Sequence, residues 1–324
     1  MTAPLLEVFG LRVVFPTRRG ALVALDDVSF DMAPGEILGM VGESGAGKSV
    51  MGAAITGLLG PPGHVANGEI RLDGQRIDLL TQRAWQPLRG RHIATIFQDP
   101  LTALNPLYTV GRQLAETLRL HFPLSVAAAR RRPAELLSET GIPGAASRLD
   151  DHPHQFSGGM RQRVVIALAL AGEPRLIVAD EPTTALDVSV QAQITALLRR
   201  LSRERGLAVM LITHDMGVVA DTCDRVAVMY AGRIAEIGPV DAIVGRPGHP
   251  YTAGLMGAIP NLGSPRERLV QIDGAMPRLT AIPSGCAFHP RCPRVFEPCA
   301  TRRPDLMPAG ATRAACWLHE GGKA

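Results

Sequence analysis

Eight consecutive residues, Gly42-Glu43-Ser44-Gly45-Ala46-Gly47-Lys48-Ser49, carry the sharpest chemistry in this sequence. They follow G-x-x-x-x-G-K-[ST]: the glycines let backbone N–H groups curl around phosphate oxygens, the lysine reaches the β- and γ-phosphates, and the hydroxyl binds Mg²⁺. The helix expected to begin at Lys48 would aim its positive end at the same anion. Composition adds weight. Lysine and arginine total 34, yet the lysines are only Lys48 and Lys323. A lysine at 48 therefore asks for a reason specific to lysine.

A second constellation lies downstream. Leu176-Ile177-Val178-Ala179 reads as a buried strand ending in Asp180-Glu181. A carboxylate at such a strand end suits a Mg²⁺ shell, and its neighbour can orient or deprotonate an attacking water. These two features point to phosphoryl chemistry but leave kinases, GTPases and ATPases open. Phe156-Ser157-Gly158-Gly159-Met160-Arg161-Gln162-Arg163 narrows the choice. Ser157 reads as the cap of a helix running to about Ala171, which sets a serine and two glycines at a helix N-terminus, ready for an anion.

That segment strongly resembles the signature motif of ABC (ATP-binding cassette) ATPases. Gln98 after a strand, Ala185-Leu186-Asp187, and His214 in Ile212-Thr213-His214-Asp215 resemble the same family's Q-loop, D-loop and switch histidine. Phe97 to Pro106, Phe156 to Arg163, Ala179 to Val188, His249-Pro250-Tyr251-Thr252 and the cysteine-rich tail are similar to the ATPase subunits of oligopeptide/dipeptide importers. The resemblance covers almost the whole chain. One departure is Met160, where many signatures carry Gln; importers of this group tolerate it.

The resemblance implies ATP and Mg²⁺ as ligands and assigns roles. Glu181, His214 and Gln98 would be catalytic, with Glu181 the general base and His214 on the γ-phosphate. Gly42 to Ser49, Ser157, Gly158, Gly159 and Asp187 would bind nucleotide, Phe15 would stack on adenine, and Ser49, Gln98 and Asp180 would hold Mg²⁺. It also implies a sandwich dimer in which Lys48 and Ser49 of one subunit face Ser157, Gly158 and Gly159 of the other across ATP. The expected partners are two transmembrane permease subunits, a second ABC ATPase that is a paralogue or a second copy, and, indirectly, an external solute-binding protein. Peptides are the expected solute, although similar ATPases carry nickel or oligosaccharides. Tyr108 would lie near the membrane subunits.

The remaining chemistry is in the tail. Cys286, Cys292, Cys299 and Cys316 are spaced C-x5-C-x6-C-x16-C. Clustered cysteines in a reducing compartment suggest metal. No C-x2–4-C pair typical of zinc occurs. The longer spacing and Pro293 lean toward an iron–sulfur cluster, and the resemblance implies a [4Fe-4S] cluster; Zn²⁺ and ordinary thiols stay open as alternatives. Cys223 stands apart and reads as a buried or helix-surface thiol. The tail is far in sequence from the ATP motifs, which suggests a structural role separate from nucleotide handling.

Positioning these groups requires an α/β frame: a P-loop ABC ATPase with an antiparallel β subdomain, a helical subdomain and a small Cys-rich C-terminal extension. The expected boundaries are 1–250 for the nucleotide-binding domain, with the helical subdomain at about 102–172, and 251–324 for the extension. Strands are predicted over residues 5 to 41, at Glu69 to Leu72, Ile93 to Phe97, Leu176 to Ala179, Ala208 to Ile212 and Val226 to Met229. Helices are predicted at Lys48 to Leu59, Val110 to Leu120, Val126 to Thr140 and Val190 to Arg203. Beyond 250 periodicity is weak and a separate appendage is expected.

Composition removes other classes. With 46% hydrophobic and 20% charged residues over 324 positions, the chain can build a core and is not disordered. A net charge of +4 is too weak to argue for nucleic acid. Arg130-Arg131-Arg132 and Arg199-Arg200 read as solvated helix faces. The interval between the nucleotide motifs lacks the heptads of a DNA-repair ABC ATPase, and the single cassette differs from the two usual in translation factors. No apolar stretch reaches the length of a membrane span, and Met1 to Leu6 lacks a leader's pattern. The expected location is peripheral, on the cytoplasmic face of the inner membrane.

Overall fold

The computed structural model describes residues 3–18, 20–123, 125–184, 186–258 and 272–320. The chain forms two compact units: residues 1–79 with 211–324, and residues 80–210.

In the first unit, strands Leu6–Thr17 and Gly20–Met32 pair antiparallel, and Leu6–Thr17 pairs antiparallel with His64–Leu72 on its other side. Alternation explains the geometry. Leu6, Val8, Leu11 and Val13 are buried on one strand, and Leu25, Val28, Phe30 and Met32 on its neighbour, so one face of the ribbon supplies apolar surface. A second set of strands in this unit has a different logic. Ile37–Val41 is buried throughout and runs parallel to Arg225–Tyr230. A strand apolar on both faces is the mark of a covered parallel sheet. Arg225–Tyr230 pairs antiparallel with Arg233–Pro239, which takes Thr312–Ala314 along its outer side, followed by Met307–Ala309.

That last pairing alters the expectation of a separate appendage after residue 250. Strand Thr312–Ala314 adds directly to Arg233–Pro239, and the buried Glu236 ties the pieces together. Its carboxylate accepts from Gly248 N–H at 2.7 Å, His249 N–H at 2.9 Å and the Thr312 hydroxyl at 2.8 Å. A buried charge is tolerable only with such partners. The sequence beyond 250 also begins as a helix, Pro250–Gly257, with Pro at its first turn and His249 as its cap.

In the second unit Ile93–Ile96 runs parallel to Leu176–Asp180. Between them in sequence come helices Val110–His121, Val126–Glu139 and Gly158–Leu170, and Val188–Arg205 follows. Strand Ala208–Ile212, wholly buried, carries the chain from this unit back into the first. Most predicted elements stand within two residues of these bounds. The helix after the phosphate loop is shorter than predicted, Lys48–Ile55. Gly57 adopts φ 65° and Gly60-Pro61-Pro62 follows, neither of which continues a helix.

Candidate nucleotide site

The phosphate loop leaves strand Ile37–Val41 at Gly42, whose φ of 149° is glycine territory and whose missing Cβ would drive into the Met229 carbonyl. Lys48 opens helix Lys48–Ile55 and is buried. Its ammonium folds back on the loop, donating to the carbonyls of Gly42 at 2.7 Å and Glu43 at 3.1 Å. The helix has Gly47, in left-handed backbone at φ 103°, as its cap, so the cap residue itself brings no side chain to the first N–H groups. Those donors and the helix dipole are what a phosphate requires. Ser44 and Gly45 are exposed on the loop, and Ser49 is exposed in the first turn of the helix.

His214 follows strand Ala208–Ile212 and is exposed. Its neighbours are pinned: Thr213 N–H donates to the Met40 carbonyl at 3.2 Å, and Asp215 caps helix Met216–Thr222 by accepting from Gly217 and Val218. Phe15 lies half-buried on strand Leu6–Thr17, with its ring over Gly63, where a Cβ would collide with it.

The second unit holds the carboxylates. Asp180 ends strand Leu176–Asp180 and Glu181 follows with φ 46°. For a residue with a Cβ, the left-handed region costs on the order of 1–3 kcal/mol and occurs where surrounding structure enforces it. Glu181 Oε2 accepts from Gln98 Nε2 at 3.1 Å and from the Thr184 hydroxyl at 2.9 Å. Gln98 and Glu181, 83 positions apart, are thus brought together. The role of Thr184 as a clamp on Glu181 was legible only as part of the quoted motif.

Ser157 is the cap of helix Gly158–Leu170, its hydroxyl accepting from Met160 N–H at 3.4 Å. Gly159 permits a close helix approach: a Cβ there would stand 2.6 Å from Val190 Cγ1 of helix Val188–Arg205. Asp187 caps that helix. Its carboxylate accepts from Ser189 Oγ at 2.6 Å and Val190 N–H at 2.9 Å, and these bonds, Ser189 first, hold its pKa below the usual carboxylate value. Ala185 of the same motif lies outside the described residues.

The four tail cysteines all fall in the first unit. Cys299 and Cys316 are buried, and Cys286 and Cys292 partly so. Burial raises the thiol pKa of Cys286 to about 11 and raises those of Cys292 and Cys316. Each is raised further by the charge of its fellow cysteines. Opposing this, each accepts a backbone N–H from two residues on: Phe288, Arg294 and Leu318. The Arg294 bond to Cys292 Sγ is 3.4 Å long. Such donors favour thiolate, the form a metal binds. Among the described residues, however, no group of three or more His, Cys, Asp or Glu is placed to hold a metal ion. The donor chemistry, four thiols of one segment with Cys286 coupled by charge to the other three, suits a cluster. His289 and His319 each have a ring nitrogen against a backbone carbonyl, of Cys286 and Gly248. Cys223 is buried, the first of its two expected settings.

A phosphate loop, a strand-end Asp-Glu pair and a capped Ser-Gly-Gly helix define an ATP-hydrolysing cassette, and comparison with known proteins agrees. The family model for ABC transporters matches residues 25–184. The cassette resembles the solved dimer of the ATP-binding cassette MJ0796 in a post-hydrolysis state bound to ADP and Pi. TM-score is 0.65 and identity 28%, over 72% of this chain and 98% of that one. The protein is an ABC-type ATPase.

A second model, for the oligopeptide/dipeptide transporter C-terminal region, matches residues 235–299. The oligopeptide transport ATP-binding protein OppD of Salmonella typhimurium is 48% identical, covering 96% of this chain and 92% of its own length. The dipeptide transport ATP-binding protein DppD of Bacillus subtilis is 47% identical, over 97% and 95%. The chain belongs to the oligopeptide/dipeptide import family of ABC transporter ATP-binding proteins. ABC ATPases of this kind dimerise and work with the membrane components of a transporter. Among the described residues, no helix is long and apolar enough to cross a membrane.

Proposed function

We propose that this chain hydrolyses ATP to drive uptake of di- or oligopeptides through two transmembrane permease subunits. An external solute-binding protein would deliver the peptide, and a second ABC ATPase, a paralogue or another copy, would complete the assembly. The chain would sit peripherally on the cytoplasmic face of the membrane. The observation that carries the reading is the pairing of a complete phosphate loop with a C-terminal region matching the peptide-importer family over residues 235–299.

Lys48 and the loop N–H groups bind the β- and γ-phosphates, and Phe15 stacks on adenine. Ser49, Asp180 and Gln98 supply a hydroxyl, a carboxylate and an amide oxygen, the hard donors Mg²⁺ takes. When bound, the ion offsets charge developing on the phosphates. Glu181 accepts the proton of the attacking water, with Gln98 and Thr184 fixing its carboxylate. His214 steadies the γ-phosphate. Ser157, Gly158, Gly159 and Asp187 act on the nucleotide of the opposite subunit, so ATP bridges two surfaces and hydrolysis removes the bridge. Residues 1–250 form the nucleotide-binding domain, with a helical subdomain at about 102–172, and 251–324 the extension. In the extension Cys286, Cys292, Cys299 and Cys316 would supply the thiolates of a [4Fe-4S] cluster, with Zn²⁺ the alternative occupant.

The transport reading is tested by reconstituting the chain with its membrane subunits and partner ATPase in vesicles. ATP-dependent accumulation of a labelled di- or tripeptide, absent in Lys48→Ala, is the expected result. Peptide-independent ATPase with no uptake of any peptide would count against it. Anaerobically purified protein should contain iron and acid-labile sulfide in near-equal amounts; colourless protein with one zinc per chain would replace the cluster.

A further inference from the structure

Sequence distance suggests that the tail is remote from ATP, but the fold puts one of its residues on the phosphate loop. Arg291 lies between Cys286 and Cys299, next to Cys292, and only 7% of its side chain is exposed. Its Nη1 donates to both carboxylate oxygens of Glu43, at 3.0 and 3.2 Å, and to the Tyr230 hydroxyl at 3.4 Å. Nε donates to the Asp273 carbonyl at 2.9 Å, and Nη2 to the carbonyls of Gly274 and Ile272 at 3.3 and 3.4 Å. Every nitrogen of the guanidinium is engaged.

Glu43 is gripped a second time. Its backbone N–H donates to the Tyr251 hydroxyl at 2.9 Å. Tyr251 is fully buried, its ring edge-on to Tyr230 with centroids 4.6 Å apart and 5.4 Å from Phe288. The carbonyl of this same Glu43 accepts from Lys48 Nζ. A continuous path thus runs from the cysteine-bearing segment through Arg291 and Tyr251 to Glu43 and then to the lysine of the loop. The motif leaves position 43 open, so nothing in phosphate binding as such demands a glutamate there.

We propose that Arg291 and Tyr251 are positioning residues for the phosphate loop. They hold Glu43 so that the loop is set for nucleotide before nucleotide arrives, and the tail thereby sets the affinity for ATP. An exposed ion pair would contribute little. This one is charge-assisted and enclosed on the arginine's side, so deleting Glu43 leaves the Arg291 charge poorly solvated, and deleting Arg291 leaves the loop free to relax. Preorganisation lost in this way appears as weaker binding, with the chemical step unaffected.

The test measures binding of a fluorescent ATP analogue with Mg²⁺ to the full-length chain, and ATP KM and kcat in the assembled transporter. Arg291→Gln and Glu43→Gln should each weaken affinity about tenfold or more, the scale of one charge-assisted hydrogen bond. The double variant should be no more than about twofold worse than either single, because both delete the same interaction. Tyr251→Phe, which removes one hydroxyl, should weaken affinity about threefold or more. Raised KM with kcat within about twofold in Arg291→Gln and Tyr251→Phe, and partial recovery in Arg291→Lys, separate positioning from loss of folding. If Arg291→Gln fails to fold, Glu43→Gln and Tyr251→Phe decide the matter, since Glu43 is partly exposed. Unchanged affinity in those two folded variants, or multiplicative losses in the double, would overturn the proposal.

Discussion

The phosphate loop and the cysteine tail achieve order by opposite means. The loop is shaped locally: Gly42 at φ 149°, Gly47 at φ 103° and a lysine bonded to carbonyls five and six residues earlier. Among its described residues from 272 onward the tail has little regular structure of its own, two three-residue strands and short 3-10 turns. It is held by groups far away in sequence: Glu236 to Thr312, Arg291 to Glu43 and Arg303 to Asp26. Chemistry built on local backbone geometry is readable from a short motif. A segment too small to bury a core must borrow its stability from the body it packs on, or from a bound metal.

The comparison is sharpened most by Glu181→Gln, which leaves fold and nucleotide binding in place and should lower the hydrolysis rate by about a hundredfold or more. Single-turnover hydrolysis by the assembled transporter measures it; a wild-type rate would remove Glu181 from its role as base. Gly42→Ala strikes at local shape. The φ value and the Met229 carbonyl both exclude a methyl group, and a loss of about 2–4 kcal/mol in nucleotide binding is expected by calorimetry.

Acidification strikes at the long-range side. His249 is buried, and burial first, then the nearby His319, lowers its pKa from 6.5 to about 4. Its Nδ1 accepts from Tyr251 N–H at 3.0 Å, a role open only to the neutral ring. Because the folded-state pKa lies below the unfolded one, the stabilisation is fully present above about pH 6.5 and is lost as pH falls toward 4. Between pH 7.5 and 5.0 the change is about 2 kcal/mol by linkage. Denaturant midpoints at the two pH values should show it, and His249→Gln should flatten the dependence; an equally steep curve in that variant would exclude His249 as the source. The smallest effect belongs to Ser157→Ala, where loss of the cap should destabilise the helix end by about 1 kcal/mol. A larger fall in ATPase rate than in melting temperature would mark the hydroxyl as a nucleotide contact as well.

Several features were readable from sequence because each rests on near neighbours. The strand–loop–helix around Lys48, the buried strand before Asp180-Glu181 and the Ser157 cap depend on residues within a few positions, where side-chain type dictates φ, capping or burial. The motifs also placed Gln98 in the same functional set as Glu181, and the fold bonds them. Other features had no local signal. Arg291 is one arginine among many, and its partner lies 248 residues earlier. Tyr251 sits in a recognisable His-Pro-Tyr-Thr run, but its hydroxyl meets Glu43 N–H 208 residues away. The left-handed backbone at Glu181 follows no residue preference and is imposed by its surroundings. The sequence by itself determined which groups are chemically suited to phosphate and which to a proton, since that chemistry is set by residue type at short spacing. Only the tertiary structure decided that the cysteine segment joins the strands beside the loop and seats an arginine on it. A charged side chain's partner is whatever group folding buries it against, and that is a property of the packed chain as a whole.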